Sequence, residues 1–504
     1  MAFKRNIVAS YASQIYSTLI SLAIIPLYIK YMGKEAYGLV GFYAMLQTWL
    51  QILDMGLSPT ISRETARYNG GALSPAGLLD LFRSFRIVFL VVALCSTAIV
   101  VLASGVITDH WLTVEVLSAS EVSSSIKLMG VTIGLRWLSS LYRGALTGFE
   151  MQVRLAQIDI AIATARNLLV FLVFWKIGTT PTDFFTYQAA VALLETALLS
   201  IQTHQLLPRI DTAVTNGQVA ASLRRVMGFA LSIASTNAAW VFVTQSDKLI
   251  LSKLLSLSDF AQFTLAVILA NGITIITSPV GGALIPRLSR LHARGQEAEL
   301  ISVYRQSTQF VTAIAASASL FLACFPKEIV LIWTHSEATA TFVSPILRLY
   351  AIGSGFLALT AFPYYLQFAK GKLRLHVIGN IVFIAVFLPL VAMLCYRFGA
   401  IGAGAAWAIA NMAYFLLWTP LIHKELAPSL HASWLVRDIA PPVLAPLLVA
   451  LVIRQYWQVP ASRLEALAML CAIGLLLAGS ALATTRLARQ KMSAMRNLLW
   501  KTTS

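Results

Sequence analysis

The chain returns repeatedly to apolar runs long enough to cross a bilayer, and that recurrence limits what it can fold into. A helix of about 20 apolar residues spans the hydrocarbon core. Such runs fall at 7–29, 36–57, 86–107, 126–148, 155–177, 183–207 and 226–252. Others fall at 259–285, 306–332, 342–369, 375–395, 399–422, 437–453 and 465–485. In lipid each backbone N–H and C=O needs a partner within the segment, so each run is read as a helix. The predicted fold class is all-α integral membrane, with about 14 transmembrane helices. Pro26, Pro279, Pro363 and Pro389 interrupt several runs. Such breaks survive where protein or a water-filled cavity satisfies the freed backbone. The first run is too long for a signal peptide and lacks its small-residue cleavage site.

The charge budget agrees. Only 12% of the 504 residues are charged and 58% are hydrophobic, whereas a soluble surface needs about 25% charged residues. Connecting loops hold fewer than about 20 residues where a minimal domain needs ~50, which leaves no room for a soluble catalytic domain. The formal net charge of +17 sits in short loops rather than in one patch with aromatics, which argues against a nucleic-acid partner. Basic residues such as Arg63, Arg67, Arg224, Arg225, Arg287, Arg290, Arg294, Lys370, Lys372 and the stretch from Arg486 to Lys501 gather on one side. That side reads as cytoplasmic, with both termini on it. Cys95, Cys324, Cys395 and Cys471 each lie inside an apolar run without CxxC spacing, so neither a zinc site nor a disulfide framework is suggested. His110, His204 and His423 stand singly near helix ends. No Walker, HExxH or GxSxG motif occurs, and no enzyme activity, metal or cofactor is expected.

A shift of 224 residues lays Glu35 on Asp259, Ile61 on Ile285, Arg63 on Arg287 and Gly71 on Gly295. Both copies run the same way across the membrane, which predicts two six-helix lobes in parallel repeat, a transporter architecture. The expected division is an N-lobe at 1–225, a C-lobe at 226–424, and two further helices with a basic cytoplasmic tail at 425–504.

Polar residues mark candidate sites. The first helix carries Asn6, Ser10, Ser13, Gln14, Ser17 and Ser21, and the second Gln47, Gln51, Asp54 and Ser58, at helical spacing. Each stripe reads either as interhelical hydrogen bonding or as the wall of a hydrated cavity. Ionisable residues at membrane depth face a bundle interior or an aqueous path; these are Asp54, Arg136, Arg143, Asp159, Arg166, Glu195, Asp247, Lys248 and Arg348. Structural pairs are expected for Arg166 with Glu195 and for Arg143 with Asp159, while Asp247 and Lys248 offset each other. Arg136 and Arg348 then remain as surplus cations. A cationic, hydroxyl-rich interior suits a sugar carried on a phosphate or diphosphate, since guanidinium binds phosphate through two parallel hydrogen bonds. Gly130-Val-Thr-Ile-Gly134 predicts only a close helix contact.

The stretch Asn6…Gln14…Pro26-Leu27…Gly33-Lys-Glu-Ala-Tyr37-Gly38…Asp54-Met-Gly56 resembles the opening of O-antigen-type polysaccharide flippases. These belong to the multidrug/oligosaccharidyl-lipid/polysaccharide exporter superfamily. Asp247-Lys-Leu-Ile-Leu-Ser252 and Ile285-Pro-Arg-Leu-Ser289 resemble that family's seventh helix and the end of its eighth. The resemblance implies two lobes around a central cavity in a bacterial inner membrane. It also implies outward flipping of undecaprenyl-diphosphate-linked oligosaccharide by alternating access, with membrane lipid around it and a polysaccharide polymerase as candidate partner. The related lipid II flippases carry arginine in the first helix, where this chain has neutral polar residues. On this reading Arg136 leads the diphosphate site, with Arg348 and Lys248 next and Arg143 and Arg166 as further candidates. Ser10, Gln14, Ser17, Gln47 and Gln51 would receive sugar hydroxyls, and Asp54, Asp247, Asp159 and Glu195 are candidates for ion coupling. A multidrug exporter of the same superfamily and a membrane-embedded glycosyl- or phosphotransferase remain as alternatives. The first would favour surplus acids, and the second would need an acidic motif at an inner loop.

Overall fold

The structure, a computed structural model, describes residues 2–54, 56–208, 238–456, 462–486 and 488. Its elements are helices, and among the described residues there is no strand beyond one isolated backbone bridge, Thr113 to Ser256. Ten helical stretches there are long and apolar enough to cross a membrane. The chain forms two compact units, Met1–Ala261 and Gln262–Ser504. The lobe boundary expected at 225/226 lies outside the described residues.

The first unit begins with α1 (Ala2–Met32), α2 (Lys34–Leu50), α3 (Leu57–Asn69) and α4 (Pro75–Val106). Then come α5 (Ala119–Gly148), α6 (Gln152–Thr164), a π turn (Ala165–Leu169), α7 (Val170–Lys176), α8 (Pro181–Leu206) and α9 over 238–254. α5 is the central element, lying against α3, α4 and α8. Its start is a capping box in which Ser118 and Glu121 satisfy each other's backbone N–H groups. Small residues set its close contacts. A Cβ on Gly134 would stand 2.2 Å from Thr97 Oγ1 of α4, and one on Gly148 2.3 Å from the Ser62 carbonyl of α3. The close contact expected at Gly130–Gly134 is therefore with α4, where Thr97 also donates to the Gly130 carbonyl at 3.1 Å. Phe82, Phe85, Phe89, Leu141 and Leu199 fill the space between α4, α5 and α8.

The second unit takes up α10 (Leu257–Thr277), which crosses the unit boundary, then α11 (Pro279–Ala293), α12 (Glu297–Cys324) and α13 (Pro326–Thr334). α14 (Glu337–Ala369), α15 (Arg374–Ala413), a π turn (Tyr414–Trp418), α16 (Thr419–Leu426) and α17 (Leu430–Trp434) follow. A further π turn (Leu435–Ile439) leads to α18 (Ala440–Gln455) and α19 (Arg463–Ala483). Gly399, with φ 55 and ψ −135, kinks α15 into two arms, at the gap between the predicted runs 375–395 and 399–422.

The internal repeat has a backbone counterpart. After α3, the Gly71 N–H bonds to the Tyr68 carbonyl and Ala72 N–H to Arg67, both at 2.9 Å. After α11, Gly295 bonds to His292 at 2.9 Å and Gln296 to Leu291 at 3.0 Å, the same positions shifted by 224. Both glycines have positive φ, 75 and 70, the left-handed closure that ends a helix with its carbonyls satisfied. Glu35 and Asp259, the other matched pair, lie in the first turns of α2 and α10, where a carboxylate complements the helix dipole.

Candidate functional site

Arg136 and Arg143 stand seven residues apart on α5, two turns along one face. Around them lie Asp159 of α6, Arg166 of the π turn, Glu195 of α8, and Tyr43 and Gln47 of α2. The Arg143 guanidinium reaches both acids, with Nη1 at 2.7 Å from Asp159 and Nη2 at 2.9 Å from Glu195. Their side chains are 36%, 30% and 12% exposed, so the cluster is not sealed. Arg136 has no acidic partner among the described residues. Its Nη1 donates to Gln47 Oε1 at 3.1 Å, its guanidinium lies 5.6 Å from the Tyr43 ring centre, and its Nε is buried without a hydrogen-bond partner.

Arg166 sits in a π turn, a local widening of the helix that often marks functional positions. The carbonyls that such a turn frees are met from neighbouring helices. Tyr187 donates to the Ala165 carbonyl at 2.8 Å, while Gln188 at 3.3 Å and Tyr28 at 3.4 Å donate to that of Arg166. No ion pair or hydrogen bond holds the Arg166 guanidinium among the described residues, although the charges of Arg136, Glu195 and the Tyr43 side chain act on it. Three guanidinium groups thus meet two carboxylates, and the group carries one surplus positive charge.

Several expectations need correction. Glu195 bonds to Arg143 and not to Arg166, because its α8 position faces the Arg143 turn of α5. Arg143 is therefore doubly paired, not an available cation. The polar stripe of the second run is not on one helix: α2 ends at Leu50, Gln51–Asp54 forms a 3-10 turn, and Gly56 is left-handed with φ 68. Ser58 consequently belongs to α3, and Asp54 accepts its hydroxyl at 2.6 Å and its N–H at 3.3 Å. A carboxylate at a helix start is a stabilising cap, so Asp54 has a structural task.

The stripe of α1 divides. Asn6 donates to the Glu150 carbonyl in the turn before α6 and to Gln152, at 3.1 and 3.0 Å, and Ser21 accepts from Asn167 at 3.4 Å, so these residues tie α1 to neighbouring segments. The side chains of Ser10, Gln14 and Ser17 have no hydrogen-bond partner among the described residues, and Gln14, Ser10 and Gln51 are exposed. Lys248 lies 3.5 Å from Asp247 and donates to the Thr244 carbonyl at 2.5 Å, the mutual offset that adjacency suggests. Arg348, in the second unit, donates from Nε to the Ala323 carbonyl at 3.0 Å, one residue from the end of α12. A cation at a helix C-terminus complements the dipole there, so its charge is partly used.

The sequence reading missed Tyr43, although it precedes Gln47 by one turn on α2 and could have been read as part of the same face. It also missed Tyr28, Tyr187 and Asn167, whose roles follow from the π turn and have no sequence signal.

Comparison with known proteins agrees on fold and family. The structure resembles that of lipid II flippase MurJ in an inward closed conformation, with a TM-score of 0.75 at 13% identity, covering 94% of this chain and 98% of the other. It also resembles an inward-facing multidrug resistance MATE family transporter of the MOP superfamily, with a TM-score of 0.67 at 14% identity over 82% and 94% of the two chains. A putative O-antigen transporter of Shigella flexneri is 22% identical over 424 residues, which is 81% of this chain and 95% of that one. These relatives are transporters and flippases and not enzymes. The family model described as polysaccharide biosynthesis protein matches residues 3–292, more than half the sequence. With ten membrane-length helices among its described residues and its transporter fold, the chain is a multi-pass membrane protein that belongs to the polysaccharide biosynthesis protein family.

Proposed function

We propose that the protein flips an undecaprenyl-diphosphate-linked oligosaccharide, an O-antigen-like repeat unit, from the inner to the outer leaflet of the bacterial inner membrane. The carrying observation is the surplus cation of the first unit: among the described residues Arg136 is held only by neutral Gln47 and the Tyr43 ring. A guanidinium with no carboxylate bonded to it among the described residues is suited to phosphate, and Arg166 beside it adds a second. Gln14, Ser17 and Gln51, whose side chains have no hydrogen-bond partner among the described residues, are suited to sugar hydroxyls. Alternating access between two lobes exposes such a site first to one leaflet and then to the other, with both termini cytoplasmic. The lipid tail stays in the bilayer.

Deleting the gene should leave the lipid-linked repeat unit intact but stranded in the inner leaflet, detected as an accumulating intermediate by mass analysis of extracted lipids. If the intermediate is never made in that strain, the protein acts in synthesis and the reading fails. Topology is tested by single cysteines: those at Gly71 and Gln296 should resist impermeant thiol reagents in intact cells, and one at Lys34 should react. The reverse pattern would overturn the inward direction assigned to the basic loops.

A further inference from the structure

Arg143 holds more negative charge than it needs. Asp159 alone, at 2.7 Å, is enough to neutralise it, yet Glu195 binds the same guanidinium at 2.9 Å. Arg143 with its two acids therefore carries a net −1, while neighbouring Arg136 and Arg166 together carry +2 and have no carboxylate bonded to them among the described residues. Like charges held together in a partly dry setting repel strongly. Glu195 is close to both groups: it is bonded to Arg143, its neighbour Thr196 donates to the carbonyl of Leu135, the residue before Arg136, at 3.1 Å, and its charge acts on Arg166. Its hydrogen bond uses Oε1. It is also the least exposed member of the ion-paired set, at 12% against 30% and 36%.

We propose that Glu195 is the internal counter-ion of the anion site, competing with the cargo's phosphates for the field of Arg166 and Arg136. An arriving diphosphate takes over the neutralisation of those two arginines, while Glu195 stays bonded to Arg143. When the cargo departs, the carboxylate again offsets the exposed positive charge, so release does not strand two bare guanidinium groups. Glu195 thus sets affinity and eases release without touching the cargo; it is a positioning residue. This rests on the diphosphate reading of Arg136 given above.

The test is calorimetric titration of inorganic pyrophosphate into the purified full-length protein in lipid nanodiscs. Removing a competing negative charge should strengthen binding, so Glu195→Gln is expected to tighten pyrophosphate roughly tenfold. Its turnover in proteoliposomes should fall because release slows. Asp159→Asn, whose carboxylate bonds only to Arg143 among the described residues, should tighten binding less. Glu195→Asp keeps the charge while disturbing the packing, and should bind as the wild type does. A purely structural role predicts the opposite sign, since loss of a packing or folding contact weakens binding. Weaker or unchanged affinity in Glu195→Gln, or equal tightening in Asp159→Asn, overturns the counter-ion role while the phosphate site stands. A wild type that does not bind pyrophosphate, or an Arg136→Gln variant that binds it equally well, overturns the site itself and the counter-ion with it.

Discussion

The two units close their helices alike and hold their charge in opposite ways. The turns after α3 and α11 use the same backbone bonds at positions 224 apart, around Gly71 and Gly295. What stands on those turns differs. Tyr68 meets the Phe149 ring edge-on at 6.3 Å, whereas its counterpart His292 bonds to Glu297 at 2.6 Å, and Glu297 bonds to Lys370 at 2.8 Å. The contrast is sharper in the interior. In the second unit Asp438 is fully buried, 2.5 Å from Arg305 Nε, with Gln309 at 2.5 Å on its other oxygen. Gln309 in turn accepts the Arg486 N–H at 2.9 Å. That group is balanced, one cation to one anion. In the first unit three arginines stand with two partly buried carboxylates, both bonded to Arg143, and the balance does not close. A balanced buried pair serves the fold, and an unbalanced, partly open one leaves charge for something else to neutralise.

The largest effect should come from breaking the balanced pair. Asp438→Ala leaves Arg305 uncompensated and should cost about 3–5 kcal/mol, read as a lowered melting temperature in detergent or loss of protein from the membrane. A mild loss there would undo the contrast. Arg136→Gln should instead leave melting near that of the wild type and remove transport. Charge-assisted hydrogen bonds are worth about 1.5–3 kcal/mol, which corresponds to a tenfold to hundredfold loss in cargo binding. Normal transport by that variant would show that the surplus charge is idle. The shared turns sharpen the likeness of the units: Gly71→Ala and Gly295→Ala place a side chain at positive φ and should each cost about 1–2 kcal/mol, in equal measure by thermal unfolding. The smallest effect belongs to Asp159→Asn, because Glu195 still holds Arg143 and the pair is partly solvated. A cost below about 1 kcal/mol is expected, and a cost as large as that of Asp438→Ala would mean the first-unit cluster is structural too.

Much of this was legible in the residues. Pairing Arg166 with Glu195 and Arg143 with Asp159 left Arg136 unmatched in sequence; one of those pairs is different in the structure, yet among the described residues Arg136 still has only Gln47 as a hydrogen-bond partner. The pairing of Arg143 with Asp159 followed from two consecutive helices with charges toward the same end. The pairing of Glu195 did not, because two arginines were available to it and the choice depends on which turn of α5 faces α8. The second polar stripe was over-read. A spacing of three to four residues looks continuous in sequence, and the left-handed Gly56 that breaks it has no hydropathy signal.

By itself the sequence determined the all-helical membrane class and the excess of arginine over acid. Those depend on local quantities: apolar length against bilayer thickness, and the cost of leaving backbone groups unpaired in lipid. Tertiary structure alone decided which carboxylate serves which guanidinium, that Asp54 caps α3, and that the π turn at Ala165–Leu169 carries Arg166. Hydrogen bonds weaken steeply with distance and angle, so which carboxylate bonds which guanidinium is settled by which helix faces meet and how closely, and that is a property of packing.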